Sequence, residues 1–325
     1  MTTCFFILKF MTNKKKSKPK TPLKLGYIAN LNESVLTALK FFSKEKQVFP
    51  KNLFSSLPII VGSGNAYNIA KALFNSQAAI FADESSFKKT IKACQSLILK
   101  KVIKEVLVIS ASGEKDSVWE LKLAKEKKLK TILFTCNRES TAAKMADKVF
   151  VFKKLPEPYT YNVSTYLGMI LAQEKGDAKK IKSFIENLSW PKSLANYKAY
   201  SFVLPDELEP LAPMIEIKRD ELFGSHLSLR AFSEGQARHA KFVIPRKEEL
   251  VISLGENKYF GLKNSRWEIK TKKKMNFSLA LSICYYIIGK IQEQKPAYFK
   301  KNIKNYCQSG SLAYNKKEGF SVIVE

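Results

Sequence analysis

Val106-Leu-Val-Ile-Ser-Ala-Ser-Gly-Glu-Lys-Asp-Ser-Val118 is the stretch on which the fold turns. Its first four residues are an unbroken β-branched and apolar run, the pattern of a strand buried on both faces of a parallel sheet. The strand runs into a loop of small residues, Ser110, Ala111, Ser112 and Gly113. Trp119, Leu121, Leu123 and Ala124 then recur in a Lys/Glu-rich segment, which predicts a helix beginning at Asp116 or Ser117, both good N-cap residues. Backbone amides at a helix start, beside the hydroxyls of Ser110, Ser112 and Ser117, suit a phosphate or another small anion. The same residues also make an ordinary capped turn, so the loop alone leaves both readings open.

Upstream, Leu57-Pro-Ile-Ile-Val61 reads as a strand entering Gly62-Ser-Gly-Asn-Ala-Tyr-Asn-Ile-Ala70. The glycines permit a tight turn close to a ligand. Tyr67 stands where a dinucleotide fingerprint needs its third glycine, which excludes an NAD site. Residues 32–42 and 87–99 read as helices, 78–82 as a strand. Downstream, residues 131–135 and 148–152 are strands around a short helix over 140–146, and 160–173 are helical. Strands alternating with helices about every 20 to 30 residues predict a parallel sheet covered on both faces. Ligands of such sheets sit beyond the carboxyl ends of the strands, where both serine-bearing turns lie.

The charged segment 174–196 reads as a connector between two halves. In the second half, Leu250-Val-Ile-Ser-Leu-Gly-Glu-Asn-Lys258 echoes Leu107-Val-Ile-Ser-Ala-Ser-Gly-Glu-Lys115, with one serine lost and Asn257 gained. That echo suggests a duplicated domain whose second copy has a poorer anion loop, hence one phosphate site per chain. Helices are predicted over 214–226 and 233–241, a strand over 250–254, and extended pieces over 259–262, 267–270 and 320–325. Residues 277–292 form an apolar helix interrupted by Ser278, Ser282 and Gly289 and too short for a membrane span, so it belongs in the core.

Composition bounds the function. A 45% hydrophobic content is that of a folded chain, and 325 residues allow two domains or one large α/β unit. The net charge of +27 invites a nucleic-acid reading. Only six residues are arginine, and the lysines are spread along the whole chain, which favours a solvated basic surface and no specific nucleic-acid partner. Cys4, Cys94, Cys136, Cys284 and Cys307 show no metal-ligand spacing, so free thiols in a reducing cytoplasm are expected, with no metal and no cofactor. Phe5-Phe6-Ile7-Leu8 is too short for a span and lacks the flanks of a signal peptide. Residues 1–24 are expected to be a flexible basic lead-in.

Gly62 to Asn68, Ser110 to Glu114, the segment 135–147 with Ser140 and Asp147, Asn162-Val-Ser-Thr165, Lys218-Arg-Asp-Glu221, Arg238-His239 and the final Ser321-Val-Ile-Val-Glu325 together resemble the sugar isomerase (SIS) family. The similarity is to the two-domain isomerase part of glucosamine-6-phosphate synthase. It implies two doubly wound αβα domains of three layers with parallel sheets, 25–195 and 196–325, the second degenerate. It also implies a sugar-phosphate isomerase, or an aminosugar-phosphate isomerase or deaminase, acting on a hexose 6-phosphate. On this resemblance Ser63, Ser110 and Ser112 hold the phosphate with Asn65, Glu114 and Ser117 in support, and Ser164 and Thr165 line the sugar. Glu221 is the base, Lys218 one helical turn away is its partner, and His239 opens the ring from a neighbouring subunit of a homodimer. The family's His-Gly-Pro is here His239-Ala-Lys241, its loop glutamine is Ala111, and its C-terminal lysine is Phe320, with Lys316 and Lys317 nearby. No glutaminase part precedes residue 25, so glutamine-dependent amination is not expected. A non-catalytic sugar-phosphate-binding or sensing module is the alternative.

Overall fold

The computed structural model of the chain describes residues 27–192, 194–314 and 318–325. The expected lead-in over 1–24, Cys4, Lys316 and Lys317 lie outside the described residues. Five parallel strands form the first sheet: β1 (Ile59–Gly62), β2 (Ile80–Ala82), β3 (Glu105–Ile109), β4 (Lys130–Thr135) and β5 (Lys148–Val151), in the order β2-β1-β3-β4-β5. A short β6 (Glu157–Pro158) follows. The second sheet is also parallel and consists of β7 (Ala199–Leu204), β8 (Ser228–Ser233), β9 (Glu249–Ser253) and β10 (Arg266–Glu268), in the order β10-β9-β7-β8. Counted from its own first strand, the second sheet runs 2-1-3-4, the order of the first sheet without its fifth strand. β9, which carries the echo, therefore stands where β3 stands.

The helices are α1 (Leu31–Phe42), α2 (Asn65–Leu73), α3 (Phe87–Ala93), α4 (Gln95–Leu99), α5 (Asp116–Glu126), α6 (Thr141–Met145), α7 (Val163–Glu174), α8 (Ala178–Glu186), α9 (Ala212–Lys218), α10 (Glu234–Ala237), α11 (Phe277–Gln294) and α12 (Tyr298–Gly310). Alternation along β3 assigns the layers. Val106 and Val108 face a core closed by Phe87, Leu121 and Ala142 from α3, α5 and α6. Leu107 and Ile109 face the opposite core, shared with Tyr200, Phe202 and Ile252 of the second sheet and filled by Leu39, Ile69, Leu167, Ile185, Ile215 and Ile287. Each such side chain contributes about 1.5–3 kcal/mol on burial. The far face of the second sheet has only Val203, Ala237 and Val251, covered by Phe232, Phe242 and Phe260, so its outer layer is reduced to α10 and loops.

Several local expectations change. Residues 87–99 break into two helices at Cys94. Of the helix expected over 233–241 only α10 forms, because its capping box is followed by Ala240 at φ +58°. The helix expected over 214–226 is α-helical to Lys218 and then widens into a π-turn, Arg219–Phe223. Residues 259–262 are not extended; the Arg266 guanidinium gathers the carbonyls of Asn257, Lys258 and Gly261 into a loop. Within the segment read as a connector, α8 buries Ile181 and Ile185 against α1 and α11.

The end of the chain returns to its beginning. β11 (Ile323–Val324) pairs antiparallel with β6, and α11 packs along α1. Leu31 N–H donates to Gln292 Oε1 at 2.9 Å, and Asn32 Nδ2 donates to Glu293 Oε1 at 2.6 Å. Gly289 makes this approach possible: a Cβ built there lies 1.9 Å from the backbone nitrogen of Asn32. Gly289→Val should therefore destabilise the chain by about 3 kcal/mol through overpacking against backbone. Urea denaturation checks this, and a midpoint unchanged from the parent contradicts the packing described.

Candidate functional site

The carboxyl ends of β1 and β3 carry two turns of one design. Gly64 before α2 has φ +56° and ψ −122°, and Lys115 before α5 has φ +59° and ψ −122°. A lysine in a conformation natural to glycine is strained by about 1–3 kcal/mol, and such strain clusters at functional sites. The two helix starts meet where Ser63 Oγ donates to Asp116 Oδ2 at 3.3 Å. Asn65 opens α2 and is half-buried. Ser110 and Ser112 accept from the amides of Gly113 and Glu114. Ser117 is buried and donates to the Glu114 carbonyl, and Glu114 Oε1 accepts from Thr141 N–H at the start of α6. Ser117 and Glu114 thus fix the shape of the loop. At Gly113, φ +63°, a Cβ would lie 2.1 Å from Ser140 Oγ.

Lys218, at the end of α9, is fully buried and its Nζ lies 2.5 Å from Glu221 Oε2, 2.7 Å from the Thr160 carbonyl and 3.1 Å from the Tyr161 carbonyl. The Tyr285 ring lies 5.1 Å beneath it. Glu221, on the π-turn, is 13% exposed. Burial pushes its carboxyl above the ordinary range, against the pull of Lys218. Lys218 closes α9 and Glu221 lies three residues on, within the π-turn Arg219–Phe223.

Ser164 and Thr165 are not open to a ligand. They are buried at the start of α7, where the Glu157 carboxylate accepts from the amides of Val163, Ser164 and Thr165 and from both hydroxyls. A carboxylate of the chain itself occupies that helix start, as the helix dipole favours. Asn162 and Thr160 turn the chain into α7 with φ +50° and +76°.

His239 is exposed, two residues beyond α10. Glu221 precedes the six-residue β8 and His239 follows it beyond α10. Beyond β9 no α-helix starts: Asn257 accepts from the amides of Tyr259 and Phe260 and closes the loop on itself. The second sheet therefore lacks the helix start that the first sheet offers.

Phe320 stacks on Tyr159 at 5.0 Å, Tyr306 and Tyr314 join the cluster, and Lys115 Nζ lies 4.0 and 4.2 Å from the Tyr314 and Phe320 rings. This aromatic group bridges the serine loop to the neighbourhood of Glu221. The sequence gives no sign of it, because its members come from distant positions. Glu120 was equally hidden. It is 1% exposed on α5, its Oε1 has no hydrogen-bond partner among the described residues, and burial with Asp116, Glu84 and Asp83 nearby pushes it up to about 8. Among the described residues no cluster of His, Cys, Asp and Glu could hold a metal, and no helix is long and apolar enough to cross a membrane.

Residues 59–173 match the family described as "SIS domain". No curated protein matches the chain. Among solved structures, glucosamine-6-phosphate deaminase from Thermotoga maritima superposes with a TM-score of 0.56 at 15% identity, covering 81% of this chain and 92% of that one. The C-terminal domain of glucosamine-fructose-6-phosphate aminotransferase from Francisella tularensis gives 0.52 at 13% identity, with 81% and 93% covered. Tagatose-6-phosphate ketose/aldose isomerase from Escherichia coli gives 0.51 at 10% identity, with 81% and 87% covered. At these identities the likeness is one of fold.

Glu120 gives the serine loop a pH signature. Its folded pKa of about 8 lies above its ordinary 4.5, so its neutral form is favoured by folding. Its contribution is complete below pH 4.5 and is lost as pH rises through 8, on the order of 4 kcal/mol in total. Glu120→Gln should flatten that decline in denaturant midpoints measured from pH 5 to 9; an equal decline in parent and variant would remove Glu120 as its source.

Proposed function

We propose, from the match of residues 59–173 to the SIS domain, that the chain binds a hexose 6-phosphate and isomerises it, or isomerises and deaminates its amino-sugar counterpart. In this reading residues 25–195 are the sugar-phosphate-binding domain and 196–325 the second domain. The hydroxyls of Ser63, Ser110 and Ser112 and the amides at the starts of α2 and α5 hold the phosphate, Ser63 giving up Asp116 to do so. Asn65, Glu114 and Ser117 support the loop. The observation that carries the proposal is the buried Lys218–Glu221 pair set beside the entry to α7. A carboxylate whose pKa is raised by burial, held by one ammonium, is a better proton acceptor than an ordinary surface carboxylate. Glu221 takes the C2 proton of the open-chain aldose as O1 gains a proton to give the enediol, and return of the Glu221 proton to C1, with passage of the O2 hydroxyl proton to solvent, leaves a ketone at C2. Ser164 and Thr165 act through the fixed start of α7.

His239 reaches the sugar from a second copy of the chain, a reading supported by its exposed place beyond α10. Val243 and Ile244, 72% and 78% exposed on the same loop, supply apolar surface for that homodimer. A cytoplasmic setting agrees with the free cysteines. The second reading, binding without turnover, is favoured by one observation: Phe320 stands stacked on Tyr159, where the family's lysine is expected.

Hexose and hexosamine 6-phosphates should raise the melting temperature, by the equivalent of about 2.7 kcal/mol at a hundredfold excess over Kd. Ser110→Ala with Ser112→Ala should abolish the shift; a shift retained in that variant would refute the cradle. Turnover of the stabilising compound separates catalysis from sensing. If the site is shared, Glu221→Gln and His239→Ala are each inactive, and a mixture of the two regains activity through hybrid dimers. Continued inactivity after subunit exchange would place both groups in one chain and sink the shared site.

A further inference from the structure

The second sheet has a recess of its own, at the end opposite the His239 loop. A cavity of about 790 Å3 opens at the amino ends of β7 and β8, lined among others by Lys198, Arg219, Asp220, His226, Ser228 and Tyr298. Lys198 immediately precedes β7 and Ser228 begins β8, so sheet register fixes both. Tyr298 begins the 13-residue helix α12. Its ring lies on Gly224, φ +57°, where a Cβ would stand 2.6 Å from the tyrosine Cζ, and His226 meets the same ring edge-on at 5.3 Å. The Arg219 guanidinium donates to both Asp220 oxygens at 3.0 Å. The cations Lys198 and Arg219 thus line one recess with the Asp220 carboxylate, the hydroxyls of Ser225, Ser228 and Tyr298 and the imidazole of His226.

We propose that this cavity is a second anion site that takes a small phosphate monoester. A planar guanidinium fork from the π-turn and an ammonium from the residue before β7 suit a tetrahedral dianion, and hydroxyls on the rim satisfy its remaining oxygens. The volume accommodates a phosphorylated metabolite rather than a bare ion. Arg219 and Asp220 lie between Lys218 and Glu221 on the π-turn. A ligand that draws the Arg219 fork away from Asp220 therefore acts on the turn carrying the buried pair.

The chain has only two histidines, so the imidazole NMR signals report on the cavity directly, with His226→Gln assigning them. Inorganic phosphate, titrated at constant pH and ionic strength into the full chain, should give a saturable shift of the His226 signal. The shift should persist in Ser110→Ala with Ser112→Ala, which separates this site from the serine cradle. It should weaken at least tenfold in Lys198→Ala with Arg219→Ala, a variant whose near-UV circular dichroism must match the parent. Glycerol phosphate should saturate at lower concentration than inorganic phosphate. A His226 signal that does not move, that moves without saturating, that is lost with the cradle serines, or that responds equally in the Lys198/Arg219 variant overturns the proposal.

Discussion

A buried ammonium is the constraint from which the rest of the arrangement follows. Lys218 has no contact with water, and an uncompensated charge in such a place costs several kcal/mol. Two carbonyls from the entry to α7, the Glu221 carboxylate and the face of Tyr285 compensate it, and they come from the first half of the chain, the π-turn and α11 respectively. Thr160 and Tyr161 must therefore present their carbonyls inward, which the positive φ of Thr160 allows. The chain then enters α7 with its first amides turned to Glu157. One side chain of the second half thus sets the backbone geometry of a helix start in the first.

The parallel sheets were legible because β3 and β9 are continuous apolar runs and because the strands alternate with helices at even spacing. The serine loop was legible because its small residues follow such a run directly. Lys218 and Glu221 were found as a pair because three residues on a helix place them about one turn apart, although the π-turn on which Glu221 sits left no mark in the sequence. Ser164 and Thr165 looked like ligand-facing hydroxyls, and only three-dimensional placement shows Glu157 in front of them. α8 was hidden by its lysines: Ile181 and Ile185 are two apolar residues in a charged stretch, and burial of that narrow stripe is decided by the α1 and α11 surfaces it meets.

The two proposed anion sites differ in kind. The serine cradle relies on backbone amides and neutral hydroxyls, with its carboxylates, Asp116 and Glu120, close behind. Such a site favours an ester whose sugar carries a compensating polar or cationic group. The cavity beside the π-turn instead presents side-chain cations and few backbone donors. The aromatic group around Phe320 closes the cradle on the side where an additional cation would otherwise stand, and Lys115 is held against those rings.

The central core belongs to both sheets at once. Leu107 and Ile109 share it with Phe202 and Ile252, and α1, α7 and α11 have no other layer in which to bury their apolar faces. Two sheets of matching strand order have thus given up autonomy: neither can open without wetting the inner face of the other. Hydrogen exchange of the innermost amides in β3 and β7 is consequently governed by one global event, and the chain has a single free energy of unfolding rather than one for each half.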